Sequence, residues 1–262
     1  MDISIIIVNY KSKGLTLACL RSIKEAAWSS LSHEVIVVDN NSNDYLGEIL
    51  AWQHPEVHFI AAPKNLGMGG GNNLGLAKAK GKYVVVMNPD TIAMPNVFRR
   101  LYDYMEANPK VGVVGPKQFN PDKTVQDSCY RWHSLLTPLY RRTFLGAWFG
   151  SKDLARFLMT DFDKTTIKDV DWLLGSFLFM RVSALRQVGF FDERFFMYFE
   201  DTDLCRRFWQ KGFKVVYNPE AQIIHNHSRE SAKTAWYKFF TSRTTRTHVI
   251  SWFKYLLKWK FK

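Results

Sequence analysis

The chain has 262 residues, and 36 Lys and Arg against 24 Asp and Glu leave a formal charge of +12. With 47% hydrophobic and 15% aromatic residues it is not a disordered basic tail, which needs low hydrophobicity beside its charge, and its length suits one domain with a sizeable core. Three scattered cysteines, Cys19, Cys129 and Cys205, exclude a closed disulfide framework or a C-x-x-C zinc pattern and fit a reducing compartment. Asp2 stands where a signal peptide wants a cation, and no apolar run nears the roughly 18 residues that span a bilayer.

In chain order, residues 3–8 form an unbroken β-branched run, followed by apolar runs at 34–39, 57–61 and 83–87. Such runs predict strands buried on both faces, as in a parallel sheet. Helix-compatible stretches at 14–28, 45–52 and 71–80 lie between them, so the succession predicts a doubly wound α/β fold. Past about residue 111 the pattern loosens, and residues 116–170 predict only short helices and loops. Strands at 172–180, 213–217 and 222–224 and a helix at 200–211 complete the first 230 residues.

Sheets of this kind bind ligands outside the carboxyl ends of their strands. Asn9 and Tyr10, Asp39 with Asn40 and Asn41, and Asn88, Pro89 and Asp90 fall there. Each group is good turn and cap chemistry. Asp39 could equally accept the N3–H of a pyrimidine, and Asp90 could hold a hard cation beside a diphosphate. The glycine-dense stretch from Asn65 through Gly67 to Gly75 could bring backbone amides close to an anion, yet it matches neither the dinucleotide nor the P-loop pattern. Glu200, Asp201 and Asp203 open a helix amid aromatic residues, where burial would raise a carboxylate's basicity. His225 and His227 follow an apolar pair and could be structural or metal-binding.

Taken in order, 4–10 (SIIIVNY), 37–42 (VVDNNS), 65–75, 87–90 (MNPD), Gly175-Ser176 and 199–207 (FEDTDLCRR) resemble the inverting family 2 glycosyltransferases of the GT-A fold over residues 3–230. The likeness is strongest to bacterial rhamnosyltransferases of O-antigen and cell-wall polysaccharide synthesis. It implies that Asn9 and Tyr10 line the nucleotide pocket, that Asp39 contacts the pyrimidine, and that Asn65 and Gly67 line the donor cleft. It further implies that Asp90 and His225 hold Mg²⁺ or Mn²⁺ on the diphosphate, with Asn88 replacing the acid that usually opens the family's D-x-D motif. Asp201 takes the place of the catalytic base. The implied donor is dTDP-L-rhamnose, or a UDP-hexose, and the implied acceptor is a polyprenyl-diphosphate-linked saccharide.

Residues 231–262 carry eight basic residues and no acid, leaving +4 for the first 230. From Val249 on, Val249, Phe253, Leu256 and Leu257 share a helical face, flanked by Trp252 and Trp259, opposite Lys254, Lys258 and Lys262. This basic, aromatic tail fits an amphipathic helix on an anionic membrane surface, at the cytoplasmic face of the inner membrane given the implied acceptor. A nucleic-acid-binding protein would explain the charge but not acids recurring at strand ends. A non-catalytic nucleotide-sugar scaffold would leave Asp201 without a role.

Overall fold

The computed structural model describes residues 1–141, 145–226 and 242–259. Alternating elements open the chain: β1 (Ile3–Asn9), α1 (Lys13–Lys24), β2 (His33–Asp39), α2 (Leu46–Gln53), β3 (His58–Ala61), α3 (Gly67–Leu76) and β4 (Tyr83–Met87). Next come β5 (Thr91–Ala93), α4 (Val97–Ala107), β6 (Val111–Phe119), β7 (Val125–Gln126) and β8 (Cys129–Tyr130). Short helices α5 (Thr137–Tyr140), α6 (Leu145–Phe149) and α7 (Ser151–Leu158) lead to β9 (Lys168–Asp169), β10 (Trp172–Leu173) and β11 (Phe177–Arg181). The chain continues through α8 (Val182–Val188), α9 (Glu200–Gln210), β12 (Lys214–His225) and α10 (Arg243–Trp259).

The main sheet runs β3-β2-β1-β4-β11-β6-β12-β5. Its first four strands are mutually parallel, and β12 is parallel to β6. Strand β11 is antiparallel to both β4 and β6, and β5 is antiparallel to β12 at the edge. Every residue of β1 and β4 is buried because helices cover both faces. Ile3, Ile5 and Ile7 pack with Leu20 of α1 and Phe98 of α4, while Ile6 and Val8 pack on the other face in one cluster with Leu76 of α3 and Phe208 of α9. Burying each such side chain contributes roughly 1.5–3 kcal/mol.

Four of the sequence expectations are revised. Helix α3 starts at Gly67 rather than 71, and its glycines bring backbone against strand: a Cβ on Gly71 would lie 2.8 Å from Val8, and one on Gly75 2.5 Å from Ile6. The loosened region after residue 111 opens with nine-residue β6, hidden by Gly112, Gly115 and Pro116. A Cβ on Gly112 would lie 2.5 Å from the Phe208 ring, and Pro116 sits where the register with β12 shifts, a position that tolerates its missing N–H. Strands expected at 213–217 and 222–224 fuse into β12 across that irregularity. The strand expected over 172–180 breaks at Leu174, Gly175 and Ser176 into β10 and β11, which belong to different sheets.

Candidate active site

Parallel pairing sets Asn9 beside Asp39 at the carboxyl ends of β1 and β2. Asn9 is fully buried and acts as a hub. Its Nδ2 donates to Asp39 Oδ1 at 2.7 Å and Ser42 Oγ at 3.0 Å, while its Oδ1 accepts from Thr16 Oγ1 at 3.0 Å. Asp39 Oδ2 accepts the Ser42 amide at 3.0 Å. Asn9 therefore shapes this corner from beneath, whereas Tyr10, 43% exposed, faces outward. Asn40, named with the strand-end residues but given no role of its own, ties the corner to the glycine turn. Its Nδ2 donates to Asn65 Oδ1 at 3.1 Å and Gly67 O at 3.0 Å, and its Oδ1 accepts from the Leu66 amide at 2.8 Å. Gly67 adopts φ +76°, and a Cβ there would come within 2.1 Å of Phe196 O.

The antiparallel β5–β12 pair sets His225 opposite Thr91, and His225 Nε2 lies 3.3 Å from Asp90 Oδ1. Gln126 fixes that ring. Its Nε2 donates to Asn120 Oδ1 at 3.1 Å, so its Oε1 faces His225 Nδ1 at 2.8 Å and takes the Nδ1 proton. His225 Nε2 and Asp90 Oδ1, a nitrogen and an oxygen donor that a divalent cation accepts, are thereby held side by side. Asn88 Oδ1 is also buried and accepts no hydrogen bond among the described residues. No group of three or more His, Cys, Asp or Glu converges among the described residues. One carboxylate, one imidazole and a spare amide oxygen nevertheless fit an ion that takes its remaining ligands from a diphosphate and water. Gln126 carried no sequence signal, because only the β6–β7 hairpin brings it to β12. His227 lies outside the described residues.

Asp201 enters from the first turn of α9. Its Oδ2 accepts the Gly175 amide at 2.9 Å, and its Oδ1 accepts the Thr202 amide at 2.7 Å. Burial raises its pKa, with those amide bonds opposing, and burial together with the Asp201 charge raises Glu200 as well. Gly175 leaves room for this contact: a Cβ there would stand a tight 3.2 Å from both Asp201 Cβ and Oδ2. Tyr198 and Phe199, at φ +70° and +68°, deliver the acid pair through two consecutive left-handed residues. Each costs roughly 1–2 kcal/mol.

These corners form one rim along the carboxyl ends of the strands. Asn40 reaches Gly67, the Met68 amide donates to Phe196 O at 2.8 Å, and the chain runs on to Asp201. Asp201 binds Gly175, and the adjoining Ser176 O accepts the Asn88 amide at 2.9 Å beside Asp90. Asn9, Asp39, Asn65, Gly67, Asn88, Asp90, Asp201 and His225 all lie on it.

The family model for "Glycosyl transferase family 2" matches residues 4–188. The chain belongs to this family. It is a glycosyltransferase of GT-A-like fold with homologues among the rhamnosyltransferases. It is 30% identical over 210 residues to the N-acetylglucosaminyl-diphospho-decaprenol L-rhamnosyltransferase of Mycobacterium tuberculosis, covering 76% of this chain and 68% of the relative. With the rhamnosyltransferase WbbL of Escherichia coli it shares 27% over 238 residues, 86% of this chain and 83% of the relative. Its fold is similar to that of the mannosyltransferase PcManGT from Pyrobaculum calidifontis, solved in complex with GDP-Man and Mn²⁺. That match has a TM-score of 0.60 and 17% identity, and it covers 87% of this chain but only 58% of the solved one.

The family 2 glycosyltransferase ends, among its described residues, in α10, whose faces differ from the expected ones. Tyr255 and Trp259 are buried, and Lys258, expected among solvated lysines, reaches inward to Asp192 and Asp203. Ile250, Phe253 and Leu257 face outward, 53%, 55% and 71% exposed. Aromatic and ion-pair partners from residues 192–206 decide the packing, which helix periodicity alone does not contain. Lys233, Lys238, Lys260 and Lys262, and residues 227–241 in general, lie outside the described residues. No helix among the described residues is long and apolar enough to cross a membrane.

Proposed function

We propose that this family 2 enzyme transfers L-rhamnose from dTDP-L-rhamnose to a lipid-linked saccharide with inversion at the anomeric carbon, in O-antigen or cell-wall polysaccharide synthesis. The observation that carries the reading is Asp201, a buried carboxylate of raised basicity whose two oxygens are oriented by backbone amides. The acceptor hydroxyl oxygen attacks the anomeric carbon, its proton passes to the Asp201 carboxylate, and the bond from that carbon to the diphosphate oxygen breaks. Charge builds on the leaving diphosphate and none is stored on the protein. A single displacement needs no nucleophile.

Asn9, Tyr10, Asp39, Asn65, Gly67, Asn88 and Asp90 are assigned to the donor. Asp39 receives the base, and the Asn40-braced turn at Asn65 and Gly67 bounds the sugar-nucleotide cleft. Asp90 and His225 would hold Mg²⁺ or Mn²⁺. Bound there, the ion supplies neutralisation of the diphosphate. The rhamnose assignment is supported by the relatives' names, and a UDP-hexose is the alternative donor.

The outward stripe of Ile250, Phe253 and Leu257, beside exposed Arg246 and Lys254, suits the interface of an anionic membrane, where a polyprenyl-linked acceptor resides. We place the enzyme on the cytoplasmic face of the inner membrane, with no nucleic-acid partner. The test is a panel of dTDP, UDP and GDP sugars assayed for binding and transfer with Mg²⁺, Mn²⁺ or chelator. Selective transfer from dTDP-L-rhamnose that chelator abolishes is the expected result. Preference for a UDP-hexose replaces the donor, equal activity in chelator removes the roles of Asp90 and His225, and oligonucleotide binding insensitive to sugar nucleotides overturns the reading.

A further inference from the structure

The segment 192–206 carries Glu200 and Asp201, and α10 grips it along its length. His248 packs on Tyr198 at 4.8 Å and on Phe199 at 5.3 Å. Ser251 Oγ donates to Met197 O at 2.8 Å, and Lys254 Nζ donates to Arg194 O at 2.7 Å. Tyr255 packs on Phe199 at 5.3 Å and accepts a hydrogen bond from Arg206 at 3.1 Å. Lys258 Nζ lies 2.7 Å from Asp192 Oδ2 and 2.6 Å from Asp203 Oδ1, and Trp259 Nε1 donates to the same Asp203 oxygen at 2.9 Å. These residues recur every three or four positions, so one helical face makes all the contacts.

Two consecutive left-handed residues without glycine persist only where their surroundings over-determine them. The glycine turn supplies one side, through Met68 and Phe196, and α10 supplies the other. Lys258 is the hub, because it joins a carboxylate before the left-handed pair to a fully buried one just after Asp201. Without its ammonium, two carboxylates crowd a site that the Arg207 and Arg194 pairs only partly neutralise.

We propose that α10 is a strap that positions the catalytic carboxylate, with Lys258 as the positioning residue acting through Asp192 and Asp203. Among the described residues its charged partners are Asp192 and Asp203, not Asp201 or the residues assigned to the donor. The proposal rests on the reading of Asp201 as base. It also makes the last helix part of the catalytic apparatus, not only a membrane anchor.

The test uses the full chain and its Lys258→Met, Lys258→Arg and Trp259→Phe variants. Readouts are kcat and KM for transfer, dTDP affinity, and hydrogen exchange of the amides of 197–202. Lys258→Met is expected to lose about 10²-fold in kcat, the scale of a small misplacement, with dTDP affinity unchanged and faster exchange at 197–202. Lys258→Arg restores most of the rate. If Lys258→Met does not fold, Trp259→Phe decides, since it deletes one N–H to Asp203: a smaller kcat loss at unchanged dTDP affinity supports the strap. Wild-type kcat in the variants overturns it, as does a parallel loss of dTDP affinity. A wild-type chain without transfer from any donor sinks the functional reading instead, and exchange at 197–202 still reports on the strap.

Discussion

Replacing Asp201 with Asn changes one atom and two hydrogen bonds. Both carboxylate oxygens accept backbone amides, Gly175 on Oδ2 and Thr202 on Oδ1. An Asn side chain has one acceptor oxygen, so its NH₂ must face one of those N–H groups. Losing one charge-assisted bond costs about 1.5–3 kcal/mol, while removing a buried charge whose pKa is raised by burial acts in the opposite direction. Thermal stability near neutral pH should therefore change little. Turnover should not follow, because loss of a general base costs about 10²–10⁴-fold, or roughly 2.7–5.4 kcal/mol of barrier. Initial rates of sugar transfer, with dTDP affinity measured by calorimetry, separate the two. The wild-type rate should rise with pH through the raised Asp201 pKa, and that limb should vanish in the variant. A variant within about tenfold of wild-type kcat, or one that keeps the limb, refutes Asp201 as base.

Further outcomes follow from the other corners of the rim. Asp90→Ala and His225→Ala should each lose metal-stimulated transfer, and Gln126→Leu, which frees the His225 ring, should weaken Mn²⁺ activation about 10–100-fold in a metal titration. Glu200 is raised by burial, so the stability it lends is full below its unfolded pKa and is lost as pH climbs through the folded one. Glu200→Gln should accordingly raise Tm at neutral pH and not at pH 4, as melts across that range would show. Phe253→Ser with Leu257→Ser should reduce cosedimentation with anionic vesicles while leaving the helical circular dichroism intact. That pair is a cleaner test than deleting residues 231–262, which would also remove the buried Tyr255 and Trp259.

The parallel half of the sheet was legible because its strands are unbroken apolar runs and polar residues mark their ends. Asp39, Asp90 and Asp201 stood out for the same reason: a carboxylate after a buried strand, or among aromatics, breaks a local rule. Gln126 did not stand out, and Asn40 and Lys258 were placed without their partners. Each is an ordinary polar residue whose work depends on a partner distant in sequence, His225, Asn65 and Asp203 respectively. Glycine misled in both directions, reading as turn where α3 needs close backbone contact with β1, and as a break in the middle of β6.

The sheet order also sets when the enzyme becomes complete. Strands β1 to β4 pair among neighbours in sequence, and they build the corner assigned to the nucleotide as soon as they have been made. Edge strand β5 is different: its sheet partner is β12, so Asp90 waits for His225 to arrive from far along the chain. Asp201 waits in the same way for α9, and its segment for α10. The groups assigned to the reaction therefore come together only when pairings between distant parts of the chain close, the slow part of folding for such a sheet.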